Sequence, residues 1–136
     1  MSENLAAKIV EKVVNLFEGD HRVEVRSSNR HVRVLVGDVA VAETRRPLVL
    51  AETGYPDRLY VPVADVRPEF VVPSETHTFC PFKGTADYVS IATPDTRVPD
   101  AAWTYPTPRS EVGAIAGHLS FAAPGVIVEV DGEPLP

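Results

Sequence analysis

Cysteine, methionine and tryptophan occur once each in this chain of 136 residues. A lone cysteine excludes an intramolecular disulfide and a structural zinc site of the kind built from paired cysteines. Basic charge is short as well: 13 Lys and Arg stand against 19 Asp and Glu, for a formal net charge of -6 and an isoelectric point near 5.1. The cations are scattered, so there is no electrostatic footprint for a phosphate backbone, and nucleic acid is not expected as a partner. Apolar runs fall far short of a membrane span, and the amino terminus lacks the charged and apolar regions of a signal peptide. The default expectations are no membrane partner and a cytoplasmic location.

Proline, in contrast, is plentiful. Thirteen prolines break most attempts to read long helices. The exception is Leu5 to Phe17, where Leu5, Ile9, Val13 and Leu16 recur at helical spacing, Val10, Val14 and Phe17 widen the stripe, and Gly19 offers a stop. This predicts an N-terminal helical extension over residues 1–20, laid on a sheet or against a second copy of the chain, followed by a single β domain over 21–136. From His21 the period changes to two. Val23 and Val25, then Val32, Val34 and Val36, then Val39 and Val41 predict three antiparallel strands, with hairpin connections at Ser27 to Arg30 and at Gly37-Asp38. Further strands are expected at Leu48–Glu52, Leu59–Val63, Ala86–Ile91, His118–Phe121 and Val126–Val130, with turns at Gly54–Asp57, Thr93–Asp95 and Pro124-Gly125. Val98 to Arg109 reads as an irregular loop, and Ser110 to Ala116 as one short helical turn with Ser110 as its N-cap.

Chemistry concentrates in Ser74 to Tyr88, where His77, Cys80, Lys83 and Tyr88 fall within 15 residues and Pro81 and Gly84 punctuate a turn. Cys80 can supply a thiolate, His77 a base and Lys83 a positive charge. Residues three apart on a strand face opposite sides, so His77 and Cys80 cooperate only if the loop folds back; otherwise Cys80 is a small buried hydrophobe. As a metal site, His77 and Cys80 are half a set. No spacing identifies His118, His31, Glu52 or Asp65 as the missing ligands, and no metal is expected. Lys83-Gly84-Thr85 lacks the order of a phosphate loop, so no nucleotide cofactor is expected either. Lys83 is either an anion ligand or a solvated turn residue contributing little to stability. Arg45, Glu52 and Tyr60 flank or sit in apolar runs and could converge on a cleft, the alternative being salt bridges of Arg45 or Arg46 with Glu52 or Glu43. Trp103 and Tyr105 would wall that cleft or cap the core. His21 and His31 read as exposed strand-end residues, and His118 as a partnered residue at a helix–strand junction.

From Thr44 onward the sequence resembles a bacterial family, domain-of-unknown-function family 427, sometimes labelled nucleotidyltransferase-like. The residues carrying the resemblance are Thr44-Arg45-Arg46 with Leu48-Val-Leu-Ala-Glu52, Tyr60-Val-Pro62 with Asp65-Val66, Pro73-Ser74 leading to Thr78-Phe-Cys-Pro-Phe-Lys-Gly-Thr85 with Tyr88, and Ala102-Trp-Thr-Tyr-Pro106. The resemblance implies a compact antiparallel fold related to the β-tent architecture, in which other families hold zinc with paired cysteines. It implies no established reaction. There is no Gly-Ser pair followed by spaced aspartates to hold a catalytic magnesium.

The expectation is therefore a mainly β chain, an antiparallel β-tent-like or open-barrel sheet. It would bind a small, anionic molecule through Arg45, Glu52, Tyr60, Lys83, Tyr88, Trp103 and Tyr105, with Cys80 as nucleophile and His77 as base if it is an enzyme. The alternative is a non-catalytic interaction module or homodimer that uses the helix or an exposed strand edge.

Overall fold

The computed structural model describes residues 21–136. The expected helix at Leu5–Phe17, and the extension it belongs to, lie outside the described residues. Strands account for most of the rest: β1 (Val23–Ser27), β2 (Val32–Val36), β3 (Val39–Thr44), β4 (Leu48–Glu52), β5 (Tyr55–Pro62), β6 (Val71–Cys80), β7 (Gly84–Ala92), β8 (Arg97–Thr104), β9 (His118–Phe121), β10 (Val126–Val130) and β11 (Glu133–Pro134). Three 3-10 turns, Val63–Asp65, Pro68–Phe70 and Ser110–Ile115, interrupt them.

The strands form two sheets in which every pairing is antiparallel. The larger runs β1-β4-β5-β9-β8-β7-β6 and the smaller β11-β10-β2-β3, and neither closes into a barrel. Alternation explains the main core. In β2, Val32, Val34 and Val36 are wholly buried while Arg33 and Leu35 are not. These valines and Val41 meet Val61, Ile91, Ala102, Leu119 and Phe121 of the larger sheet. Burying an aliphatic side chain of this size contributes about 1.5–3 kcal/mol, so this layer holds the two sheets together. A second, smaller core lies at Val23, Leu50, Tyr60, Ala86, Tyr105, Val112 and Ile115.

The antiparallel, mainly β reading stands, with four corrections in detail. Ser27 to Arg30 is not a hairpin: β1 leaves β2 and pairs with β4, with Val23 opposite Glu52 and Ser27 opposite Leu48. The Gly37-Asp38 connection does join β2 to β3, with Gly37 at φ 59°. Most of the expected loop at Val98 to Arg109 is strand β8, because the chain absorbs Pro99 at an irregularity in the β7–β8 ladder between Val89 and Ile91. Strand β6 went unpredicted because it is the edge of the larger sheet and mostly exposed, so no apolar alternation marks it. Pro73 is tolerated there for the same reason. The turn at Ser110 is 3-10 rather than α, its N-cap position is Arg109, and no side chain caps it.

Candidate functional site

Strand alternation sends Leu48, Leu50 and Glu52 to one face of β4, and Val23, opposite Glu52, to the same face of β1. The row is apolar until its last member. Glu52 thus ends an apolar stripe with a carboxylate whose side chain is only 9 % exposed. Its Oε1 accepts a hydrogen bond from Lys83 Nζ at 2.6 Å, and its Oε2 lies 3.0 Å from His21 Nε2. Lys83 and His21 are themselves shielded, with side chains 13 % and 17 % exposed. One carboxylate therefore holds two nitrogen groups side by side. An ammonium has three donors and Glu52 takes one of them.

Lys83 is delivered by the β6–β7 turn. Its N–H donates to the Cys80 carbonyl at 3.2 Å and its carbonyl accepts from the Arg109 N–H at 2.9 Å, which ties the turn to the segment before the Ser110 3-10 turn. Gly84 follows at φ 115°, a conformation other residues rarely adopt. Phe82 stacks on His21, with ring centroids 4.3 Å apart and planes 14° from parallel.

Aromatic side chains continue this face into the second core. Leu48 of β4 pairs with Tyr60 of β5, and Tyr88 of β7 with Trp103 of β8, so the same face carries all three rings. Trp103 Nε1 donates to the Tyr60 hydroxyl at 3.2 Å, the Tyr88 and Trp103 rings lie 6.0 Å apart, and Arg58 covers Trp103 at 5.5 Å. Thr78 donates to the Tyr88 hydroxyl at 3.3 Å. Burial pushes the Tyr60 phenol up to about 12. Tyr105 is 5 % exposed, and burial likewise raises its phenol, helped by the neighbouring Tyr60, Cys80, Tyr88 and Glu52. Cys80 packs against this second core and is half-buried.

The fold thus brings together Glu52, Tyr60, Cys80, Lys83, Tyr88, Trp103 and Tyr105, but places Arg45 and His77 elsewhere. Arg45 is exposed after β3, where it lines a depression of about 360 Å³ with Glu43, Thr44, Arg46 and Asp65. The salt bridges there are Arg46 to Asp65 at 3.2 Å and His31 to Glu43 at 2.6 Å. His77 sits opposite Asp87 in the β6–β7 ladder and its Nδ1 is bonded to Asp87 at 2.7 Å; both side chains are largely exposed. Thr78 and Cys80 alternate to the cluster side, so His77 faces away, roughly 10 Å along the strand from Cys80. Phe82 is the residue that sequence reasoning missed, and His21, expected as an exposed strand-end residue, is instead shielded between Phe82 and Glu52. The signal for His21 was there, since its number continues the odd alternation of Val23 and Val25 to the inner face.

His118 Nδ1 meets the Ala116 carbonyl at 3.0 Å, as a junction residue should. Among the described residues no three His, Cys, Asp or Glu side chains converge as a metal site. What the arrangement offers is two nitrogen groups fixed by one carboxylate, next to a cluster of aromatic rings.

Fold and site together define a small antiparallel two-sheet domain with a Glu52–Lys83–His21 cluster beside its second core. No helix among the described residues is long and apolar enough to cross a membrane. Residues 24–132 match the family model described as a domain of unknown function (DUF427), and the chain belongs to that family. No curated protein matches it in sequence. The match includes Glu52 and Lys83 and begins just after His21.

Proposed function

We propose that the chain binds a small anionic molecule at Lys83 and His21, with Glu52 orienting both and the rings of Tyr60, Tyr88, Trp103 and Tyr105 forming the floor. The observation that carries this reading is the pairing of one shielded carboxylate with two shielded nitrogen groups. A purely structural ion pair needs one cation per carboxylate. Here a second nitrogen group is held in place and the ammonium keeps donors to spare. The Lys83 ammonium, with its spare donors, acts locally in spite of the net charge of -6, because distant charge is screened over about 10 Å at ordinary ionic strength.

The reading stops at binding. A nucleophilic Cys80 would need a base, and His77 is committed to Asp87 on the other face of β6. Alkylation of Cys80 in the folded protein at the rate of a free thiol would restore a chemical role for it, whereas labelling only after unfolding removes that role. For binding, Trp103 is a built-in reporter, being the single tryptophan and bonded to the Tyr60 hydroxyl. Titration with acetate and with inorganic phosphate should change its emission saturably, and Lys83→Met should weaken the response about tenfold or more, the worth of one charge-assisted hydrogen bond. Absence of saturation with either anion in the millimolar range overturns the proposal.

A further inference from the structure

The alternation that turns Leu48 and Leu50 towards the charged cluster turns Val49 and Leu59, which face each other across β4 and β5, to the opposite side of the larger sheet. There the two sheets part. The opening is a cleft of about 590 Å³ floored by Val49, Leu59, Val130 and Leu135, with Arg26 and Arg30 in its lining. A smaller space of about 50 Å³ continues inward between the sheets, against Val32, Val61, Phe121 and Val128. Asp57, Leu59 and Leu135 border both spaces. The two spaces are thus neighbours, and the inner one reaches the wholly buried Val32 and Val34. The outer volume is that of an ordinary small-molecule site.

We propose that this cleft binds a small molecule with an apolar body and a carboxylate head, the head held by Arg26 and Arg30 and the body lying over Leu59 towards the inner space. The two guanidinium groups are underused. Arg30 Nε donates to Asp131, leaving four of the five donors of its guanidinium. Arg26 is ion-paired with Asp57 at 3.8 Å, longer than a hydrogen bond and with both side chains more than half exposed, so its donors stay open to a ligand. A carboxylate is the head group that such planar forks take in pairs of bonds.

Three acids also border the cleft, and they define the rival. Asp131 is already occupied, one oxygen by Arg30 and the other by the His31 N–H at 3.0 Å. Its carboxyl is held below the usual range first by that backbone bond and then by Arg30. Asp57 and Glu133 remain, and an apolar amine is the ligand they would select instead. Leu135, 48 % exposed on the lip, is the kind of surface an apolar body covers with gain.

The test is a titration of the full chain with octanoate, octylamine and octanol in parallel, followed by amide chemical shifts. Octanoate should shift the amides of Arg30, Leu59 and Val130 saturably, and bind at least about tenfold more tightly than either analogue, as one charge-assisted contact requires. Arg26→Gln with Arg30→Gln should weaken octanoate about tenfold or more while the remaining spectrum stays that of the folded protein. Leu59→Ser should weaken all three ligands together. Lys83→Met should leave the octanoate-dependent shifts of Arg30, Leu59 and Val130 unchanged in the folded protein, while removing any response of Trp103 emission to the same carboxylate, which separates this cleft from the anion site proposed above. Octylamine binding as tightly as octanoate, an unaltered affinity in the double arginine variant, or no saturable shift at millimolar octanoate each overturns the proposal.

Discussion

Glu52 is the residue on which the charged cluster depends, because each of its oxygens holds a different nitrogen group and its side chain is almost out of solvent. Removing one partner from such a carboxylate is costlier than removing the pair, since an unpaired shielded charge loses its compensation. Lys83→Met should therefore destabilise the folded chain by about 2–3 kcal/mol, while Lys83→Met combined with Glu52→Gln should recover more than half of that loss. Urea denaturation with an unchanged m value measures both. A single-variant cost below about 0.5 kcal/mol would make Lys83 the solvated turn residue that its sequence context suggests. That context misleads for a physical reason. Pro81 and Gly84 mark a turn correctly, but whether a turn residue points to water or onto another strand depends on what packs against the turn, here the end of β4. Tyr60 permits a parallel test. Tyr60→Phe deletes the acceptor of the Trp103 indole N–H at 3.2 Å and should cost about 1–2 kcal/mol, with a shift in Trp103 emission as the independent sign that the donor has lost its partner.

At the scale of elements, the β6–β7 turn is the device that carries Lys83 to its place, and Gly84 is its constraint. A Cβ there would stand 3.4 Å from the Thr107 carbonyl and would have to adopt φ 115°. Gly84→Ala should cost about 1–3 kcal/mol and, by moving the turn, weaken anion binding by more than the lost stability explains. Binding measured well below the melting transition separates the two effects; unchanged affinity in the folded variant would detach Lys83 from the geometry of the turn. Elements were legible where burial is one-sided. β2 alternates because one face meets the core, and the bounds of β2, β3, β4, β9 and β10 lie close to the apolar runs that mark them in the sequence. β6 and β8 were not legible: one is an exposed edge, and the other carries Pro99 and Asp100, the latter at φ 48°. Asp100 is held there by accepting bonds from Ser74 at 2.5 Å and Thr76 at 2.8 Å, which no local pattern announces. Partner choice was hidden as well. Nothing in Val23–Ser27 says that it will pair with β4 rather than with the next strand, yet that pairing is what puts His21 beside Glu52.

For the whole molecule, the second core makes alkaline pH the sensitive side. Tyr60 and Tyr105 sit together in it, and burial raises both phenols, Tyr60 to about 12 from an ordinary value near 10. A phenol whose folded pKa exceeds its unfolded one keeps its proton longer in the folded chain. Its contribution is complete below pH ~10 and is lost as pH rises towards 12, because the unfolded chain ionises first. Two pH units correspond to roughly 2.7 kcal/mol for Tyr60, and Tyr105 adds to the loss in the same direction. The acid side works oppositely. Hydrogen bonding, first from Thr44 to Asp65, from Ser74 to Asp100 and from the His31 N–H to Asp131, depresses these carboxyls. Their contribution is present above pH ~4 and disappears as pH falls through the depressed values. Unfolding free energy measured by urea from pH 3 to 11.5 should therefore show a plateau with a fall at each end. Tyr60→Phe should flatten the alkaline fall while leaving the acid one unchanged. An alkaline fall of equal depth in Tyr60→Phe would show that this phenol does not set the limit, and would shift the weight of the second core to Tyr105.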